Sequence, residues 1–337
     1  MKKCTKKIKF LAYAISEAQH LKANGRISVS YNHLCAYRRF EEYLKSVGKK
    51  DISFKKVTPQ LLNDFEDFLK RKGICRNTSG CYLRSLGTVW NKAVREGLAT
   101  GNPFIATYRG VGKTRKRAVN ADVIRRLITF DIEAVLTDNG SKTVGKKLHQ
   151  RITQLELARD LFLFSFCSRG ITFVDMAYLR KSDVTGDTIS YNRRKTGQHL
   201  EVRIEKPMRD ILDRYPSTTI YQFPILTEEK DATVIYHQYK NAIDVYNRYL
   251  HKLGEMLGVP KLTSYVSRHS WATNARRNNT PTAIISQALG HDSEKTTEIY
   301  LKSFDKEVID DTNKALLDQI FDYPHVSATD AESVTAQ

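Results

Sequence analysis

The sequence predicts a mainly α-helical protein with one small β-hairpin, divided into two domains. Its 337 residues exceed the usual size of a domain with a single hydrophobic core, so two domains are favoured. Apolar residues recur at three- and four-residue steps through most of the chain, which is typical of amphipathic helices. A strict apolar-polar alternation, typical of a strand, is clearest at 199–205, H-L-E-V-R-I-E.

Four helices are predicted in the first hundred residues. They span about 7–24, 28–47, 58–73 and 78–96. The apolar face of the second is made of Tyr31, Leu34, Tyr37, Phe40 and Leu44. Thr58 is expected to cap the third helix, with Pro59 in its first turn and Gly73 at its end. Four helices in this length predict a compact all-α domain over 1–105.

A basic linker is predicted at 106–117. The segment G-N-P-F at 101–104 breaks the helical pattern, and the residues after it are rich in glycine and positive charge. Asn120 then provides a new helix cap, which places the second domain at 118–322. The tail, 323–337, has almost no apolar content and is predicted to be disordered.

The second domain is predicted to combine helices with the hairpin. Residues 155–166 are nearly all apolar and indicate a buried helix, with Arg169 at its exit. The segment R-R-K-T-G-Q at 193–198 forms the basic tip between two strands. From about 235 to 322 the pattern is helical again, with one short helix that starts near Pro281 and ends at Gly290.

Charge and cysteine usage limit the class of partner. Lysine and arginine total 55 against 37 acidic residues, a net charge of +18 with a pI near 9.6, which favours a polyanion such as DNA over a generically basic protein. Five cysteines without paired spacing indicate neither a disulfide framework nor a zinc site. No segment predicts a membrane span or a signal peptide. We expect a cytoplasmic, nucleoid-associated protein.

Three motifs hold residue types suited to a phosphodiester. They are F-C-S-R-G-I-T-F-V-D-M with Arg169, S-Y-V-S-R-H-S with Arg268, and L-G-H-D-S-E-K-T-T-E-I-Y with His291 and, nine residues later, Tyr300. Arginine forks neutralise non-bridging oxygens, histidine donates a hydrogen bond, and tyrosine can become bonded to phosphorus. Each residue alone has a structural explanation, such as a core arginine paired with a carboxylate or a histidine at a helix C-terminus.

Together these motifs resemble the tyrosine recombinases, the phage integrase family of site-specific DNA strand-exchange enzymes. The resemblance implies an N-terminal four-helix core-binding domain of the SAM-like type and an α+β catalytic domain. It also implies strand cleavage and rejoining through a 3′-phosphotyrosyl intermediate, for integration, excision or inversion of DNA. The reaction needs no ATP, metal or other cofactor.

The resemblance assigns the catalytic roles. Arg169, Arg268 and His291 contact the scissile phosphate, and Tyr300 is the nucleophile. A hairpin lysine, here Lys195, protonates the departing 5′ oxygen, although such a residue is otherwise solvated surface. Arg193 and Arg194 are the neighbours that an alternative alignment would place there, and Tyr178, Tyr191 and Tyr265 are the next candidates for the nucleophile.

Three further residues are expected to support the site. Asp175 follows the first arginine as the supporting acidic residue. Tyr265 stands where the family usually has a histidine, and because the ordinary phenol pKa is about 10 it suits hydrogen bonding better than general-base catalysis. His269 matches the family's Arg-His pair, although a histidine at such a position is more often packed or structural than catalytic.

The expected partner is double-stranded DNA, held by both domains and the linker. The predicted DNA contacts are Arg38, Arg39, Lys113, Arg115, Lys116, Arg117, Arg193 and Arg194. The resemblance also implies a homo-oligomer, a tetramer on two DNA sites, joined through a C-terminal helix at about 306–320. That helix is equally explained as intramolecular core. An accessory DNA-bending protein is a further candidate partner.

Two other functions fit parts of the pattern. A type IB-like topoisomerase uses similar chemistry to relax supercoils, but the separate helical domain and the motif spacing favour a recombinase. A catalytically silent DNA-binding accessory protein would be expected to have lost Arg169 or Tyr300, and both are present.

Overall fold

A computed structural model describes the greater part of the chain. It covers residues 8–110, 112, 117–138, 145–227, 230–259, 261–291, 293–301, 313 and 317. The chain divides into two compact units. The first comprises 1–115 and 228–240, and the second comprises 116–227 and 241–337.

The four predicted N-terminal helices are confirmed, with ends that shift by a few residues. They are α1 (Phe10–Ala23), α2 (Ile27–Ser46), α3 (Pro59–Arg71) and α4 (Arg76–Arg95). Thr58 caps α3 as predicted, because its hydroxyl accepts a hydrogen bond of 3.2 Å from the Leu61 N–H.

Aromatic side chains form the centre of the first unit. Phe10 of α1 packs edge-on against Phe40 of α2 and Trp90 of α4, with ring centroids 5.9 Å apart in both pairs. On the predicted apolar face of α2, the inner positions Tyr37, Phe40 and Leu44 are buried. Tyr31, on the same face, is only half-buried.

Nine further helices follow in the described part of the chain. They are α5 (Ala121–Thr129), α6 (Ile132–Asp138), α7 (Lys146–Cys167), α8 (Phe173–Ala177), α9 (Lys206–Arg214), α10 (Ala232–Met256), α11 (Ser264–Arg277), α12 (Thr282–Leu289) and α13 (Glu294–Leu301). Asn120 caps α5, since its side chain accepts from the Val123 N–H at 3.1 Å. The apolar segment 155–166 is confirmed as the inner part of α7, which begins earlier than predicted.

The predicted hairpin is confirmed and gains a short third strand. The sheet has the order β1 (Val184–Thr185), β2 (Thr188–Asn192), β3 (His199–Arg203), and both pairings are antiparallel. Ile189 lies opposite Val202, and both are buried, so one face of the sheet joins the core. The strand β1 has two residues, too few to show an alternating pattern.

The start of α10 groups with the first unit, whereas the sequence placed all of 118–322 in one domain. Tyr236 stacks on Tyr31 with ring centroids 5.2 Å apart, and the Tyr31 hydroxyl lies 2.9 Å from Nε2 of His237. A long-range aromatic contact of this kind leaves no trace in the helical period, which explains the difference.

Two predictions lie outside the described residues, namely the disordered tail 323–337 and nearly all of the C-terminal helix 306–320. None of the described helices is both long enough and apolar enough to cross a bilayer.

Candidate active site

The first arginine motif lies where α7 ends. Arg169 has a φ of 59° and Gly170 a φ of 78°, so two successive residues adopt left-handed backbone. The turn is held by the Gly170 N–H, which donates to the Ser165 carbonyl at 2.7 Å. The Ser165 hydroxyl donates to the Ile171 carbonyl at 2.7 Å and lies 2.8 Å from Oγ of Ser267 on α11. The exit of α7 is thereby fixed against α11.

Only glycine fits beside Arg268 at this point. A Cβ atom on Gly170 would lie 2.8 Å from Cγ and 2.9 Å from Cα of Arg268, closer than real side-chain atoms approach. The backbone of the first motif therefore touches α11 at the residue that carries the second arginine.

The Arg268 guanidinium joins all three motifs. It is 2% exposed, and its Nη1 donates to the Gly170 carbonyl at 2.7 Å. Its Nη2 donates to the Leu289 carbonyl at the end of α12 and lies 3.2 Å from Nε2 of His291. A guanidinium has donors and no acceptor, so the imidazole nitrogen accepts.

His291 follows a left-handed glycine at the end of α12. Gly290 has a φ of 62°, and the His291 N–H donates to the Ser286 carbonyl at 3.1 Å. Nδ1 of His291 lies 2.7 Å from Oγ1 of Thr297 on α13. Burial, then the positive charges of Arg268, Arg193 and Lys195, lowers the pKa of His291 to about 4. The imidazole is therefore neutral near pH 7.

The predicted nucleophile lies one helical turn beyond Thr297 on α13. The structure describes the backbone of Tyr300 within this helix, and its side chain lies outside the described part. Its nucleophilic role stays a prediction. Thr297 is 0% exposed, so this one side chain of α13 is buried beside His291.

Asp175 anchors the base of the hairpin tip. It is buried in α8, and its carboxylate accepts from the Thr172 hydroxyl at 2.6 Å and from the Arg194 N–H at 2.9 Å. Lys195, the next residue, is exposed. The Arg169 guanidinium also reaches the sheet, where Nη1 donates to the Glu201 carbonyl of β3 at 3.2 Å.

Two family models match successive parts of the chain. A family model described as the phage integrase SAM-like domain matches residues 9–109, and the phage integrase family model matches residues 146–307. The chain belongs to the phage integrase family, the tyrosine recombinases. It is a site-specific recombinase, an enzyme that cleaves and rejoins DNA strands.

The recombinase has relatives among curated and solved proteins. Tyrosine recombinase XerA of Pyrococcus horikoshii is 24% identical over 279 residues, which cover 77% of this chain and 95% of XerA. A lambda integrase fragment (75–356), solved as a dimer on a COC′ core site, shares the fold with a TM-score of 0.56 and 14% identity over 89% of this chain and 99% of that one. The Tn1549 transposon integrase with circular intermediate DNA has a TM-score of 0.59 and 12% identity over 91% of this chain and 99% of that one.

Arg193 of the recombinase is buried. It was predicted to contact DNA, but it is 4% exposed and its Nη1 donates to the Gly290 carbonyl. A Cβ atom on Gly290 would lie 3.2 Å from Cδ of Arg193 and 3.0 Å from Cδ1 of Leu200. Arg193 therefore joins the hairpin to the L-G-H turn from inside the recombinase, and its contact with DNA stays a prediction. Arg194 is exposed, with its guanidinium 3.8 Å above the Tyr178 ring.

The remaining tyrosines differ in access. Tyr191 is buried, and that burial, with Asp175 nearby, raises its pKa well above the usual range, which is unfavourable for a nucleophile. Tyr265 is 40% exposed, and its ring lies 5.6 Å from that of the half-buried His269, one turn later on α11. The supporting roles of Tyr265 and His269 stay predictions.

The predicted DNA contacts of the first unit and the linker divide into two groups. Arg38, Arg39 and Arg117 are exposed, and Arg39 is paired with Glu42 at 2.8 Å. Lys113, Arg115 and Lys116 lie outside the described residues. Within the described ranges, no group of three His, Cys, Asp or Glu side chains could hold a metal ion.

Sequence reasoning missed two residues that shape the site. Gly170 directly follows Arg169 in S-R-G-I, where a glycine after a helix indicates left-handed backbone. Thr297 lies three residues before Tyr300 in T-T-E-I-Y, so helical spacing alone would place it one turn away.

Proposed function

We propose that the recombinase breaks DNA by in-line attack of the Tyr300 phenol on a backbone phosphate. A bond forms between the phenolic oxygen and phosphorus, and the bond to the 5′ oxygen breaks, leaving a 3′-phosphotyrosyl link and a free 5′ hydroxyl. Attack by a 5′ hydroxyl of another strand reverses the step. One phosphodiester replaces another, so no ATP is required.

The contact pattern of Arg268 carries this proposal. One buried guanidinium touches Gly170 of the first motif, Leu289 of the third, and His291. Residues that lie far apart in the sequence are thereby held at one place before substrate arrives. Fixed positive groups of this kind stabilise charge that develops on a phosphate and can take the part that metal ions play in other phosphoryl-transfer enzymes.

Arg169 and Arg268 are assigned to the non-bridging oxygens, and His291 donates a further hydrogen bond in the transition state. Lys195 is assigned as the general acid. Its exposed position at the hairpin tip suits a group that reaches the leaving 5′ oxygen. The hydrogen bond from the Arg194 N–H to the Asp175 carboxylate stabilises that tip. Tyr265 and His269 are assigned to hold phosphate or nucleophile.

The proposed substrate is duplex DNA, bound by both units and the basic linker. The charge of +18 supports it, and phosphate contacts would make affinity steeply salt-dependent. Lambda integrase has been solved as a dimer on a core site and as a tetramer on a Holliday junction. We propose a comparable tetramer on two sites, joined through residues 306–320, with an accessory bending protein as an optional partner and the nucleoid as location.

Covalent trapping tests the proposal. The substrate is a nicked duplex carrying the recombination site, selected from fragments that flank the gene, so that the cleaved end diffuses away. Wild-type protein should form an adduct that survives denaturant. Tyr300→Phe should form none, whereas Tyr178→Phe serves as the matched control and should retain it. An adduct that persists in Tyr300→Phe would exclude this nucleophile.

A second assay separates the two enzyme classes. Strand exchange between two sites on different molecules is expected of a recombinase. Relaxation of a supercoiled circle without exchange would instead favour a type IB-like topoisomerase. Tight DNA binding without any adduct would favour a silent accessory protein.

A further inference from the structure

Thr297 is the partner of His291 on the side away from Arg268. Its side chain is completely buried, with Oγ1 2.7 Å from Nδ1 of His291. On the other side of the ring, Nε2 lies 3.2 Å from Nη2 of Arg268. Each imidazole nitrogen therefore contacts a group whose capacity to donate or accept hydrogen bonds is known.

These contacts determine the tautomer of the free protein. The guanidinium of Arg268 can only donate, so Nε2 must present its lone pair. Because the ring is neutral, its single N–H is on Nδ1 and donates to the Thr297 hydroxyl. In this state Nε2 has no proton to give to a phosphate.

Substrate binding demands the opposite tautomer. A non-bridging phosphate oxygen is an acceptor, and the nitrogen beside the Arg268 guanidinium is Nε2, so Nε2 must carry the proton to bind it. Nδ1 is then a bare acceptor and needs a donor. A hydroxyl serves in both states, since its proton rotates and its oxygen both donates and accepts.

We propose that Thr297 is a positioning residue that permits this exchange, accepting from Nδ1–H in the free protein and donating to Nδ1 when Nε2–H faces DNA phosphate. The inference rests on the proposed function. The exchange is balanced, since solvent supplies one proton to Nε2 and takes one from Nδ1. No net charge changes, which suits a site where burial, and then the positive charges of Arg268, Arg193 and Lys195, disfavour imidazolium.

The position of Thr297 ties the exchange to the nucleophile's helix. Thr297 and Tyr300 are one turn apart on α13, so the hydrogen bond that orients the imidazole also holds this helix against the L-G-H turn. Loss of the hydroxyl should affect both the phosphate ligand and the approach of the nucleophile.

Nitrogen-15 NMR of labelled histidines tests the tautomer directly, with His291 assigned by His291→Gln. In Tyr300→Phe protein, used so that DNA is not cleaved, the Nδ1–H form should be seen alone. The Nε2–H form should appear once an intact duplex carrying the recombination site is added. Nδ1–H retained on DNA, or Nε2–H already in the free protein, overturns the proposal without any Thr297 variant.

Single-turnover adduct formation gives the second readout. Thr297→Val keeps the shape and lacks the hydroxyl, whereas Thr297→Ser keeps the hydroxyl. We expect Val to react at least about tenfold more slowly than Ser, because without the hydroxyl Nδ1 has no donor when Nε2–H faces the phosphate. Thr296→Val, at the exposed neighbouring threonine, is the control for altering α13.

The outcomes are distinguishable. If wild-type protein forms no adduct, the proposed function fails and the tautomer exchange falls with it. If wild-type protein forms the adduct and the Val and Ser variants react equally fast, only the role of Thr297 is overturned.

Discussion

The guanidinium of Arg268 donates a hydrogen bond of 2.7 Å to the carbonyl oxygen of Gly170, 98 residues earlier in the chain. The same glycine is the residue at which a side chain would collide with Arg268. One contact thus has two parts, a polar bond and a close backbone approach, and both depend on glycine being at position 170. The arginine is held in place before any substrate binds, which is the condition for electrostatic catalysis by a fixed charge.

Gly170→Ala should destabilise the second unit. Alanine is strained at a φ of 78°, and its Cβ would displace Arg268, so we expect the free energy of unfolding to fall by about 2 to 4 kcal/mol. Gly186→Ala is the matched control, because φ is 55° there and no atom lies within 4 Å. Denaturant titration of both variants makes the comparison, and equal losses would contradict the steric argument.

Arg268→Lys should abolish most cleavage although it keeps the charge. A single ammonium group cannot serve the Gly170 and Leu289 carbonyls and the imidazole of His291 together. We expect adduct formation to slow by about a hundredfold or more. Arg277→Lys, at an exposed position on the same helix, should react normally. A wild-type rate of adduct formation in Arg268→Lys would show that the several donors of the guanidinium are not required.

The imidazole of His291 should titrate with a midpoint near pH 4, which NMR can measure from the signals of its carbon-bound ring protons. Since the folded-state pKa lies below the ordinary 6.5, the neutral ring contributes full stability above about pH 6.5. That contribution is lost as the pH falls from there towards 4. His291→Asn should remove this part of the pH dependence of unfolding. A midpoint near 6.5 would contradict the environment described for the ring.

Lys195→Ala should slow cleavage of ordinary DNA by about a hundredfold or more, because the 5′ alkoxide then leaves without a proton. DNA with sulfur at the bridging 5′ position should restore the rate, since a thiolate needs no general acid to leave. Arg194→Ala should show no such selective rescue. If sulfur does not rescue Lys195→Ala, the lysine acts in binding and not as the acid.

Much of the fold follows from local pattern. The four N-terminal helices, the Thr58 and Asn120 caps and the hairpin were all predictable, because helical and strand periods and capping depend on residues within a few positions. The short strand β1 and helix α8 were not predicted, since two to five residues are too few to show a period.

The candidate site also combines features that the sequence predicts with features that only the structure shows. Motif and spacing were enough to select Arg169, Arg268 and His291, and the structure brings the second of these into contact with the motifs of the other two. Arg193 shows what sequence patterns cannot predict. A basic residue at a hairpin tip is expected on the surface, and only the packing of Gly290 against the sheet shows that this one is buried.

The sequence by itself determined the family, the helical character and the reactive residue types, because these depend on residue identity and short-range spacing. Tertiary structure alone decided that Thr297 faces His291, that Arg193 turns inward, and that 230–240 pack with the first unit. The physical reason is that the direction of a hydrogen bond and the burial of a charge depend on neighbours from other elements. In the free protein, a guanidinium from α11 donates to Nε2 of His291, and a hydroxyl from α13 lies within hydrogen-bonding distance of Nδ1.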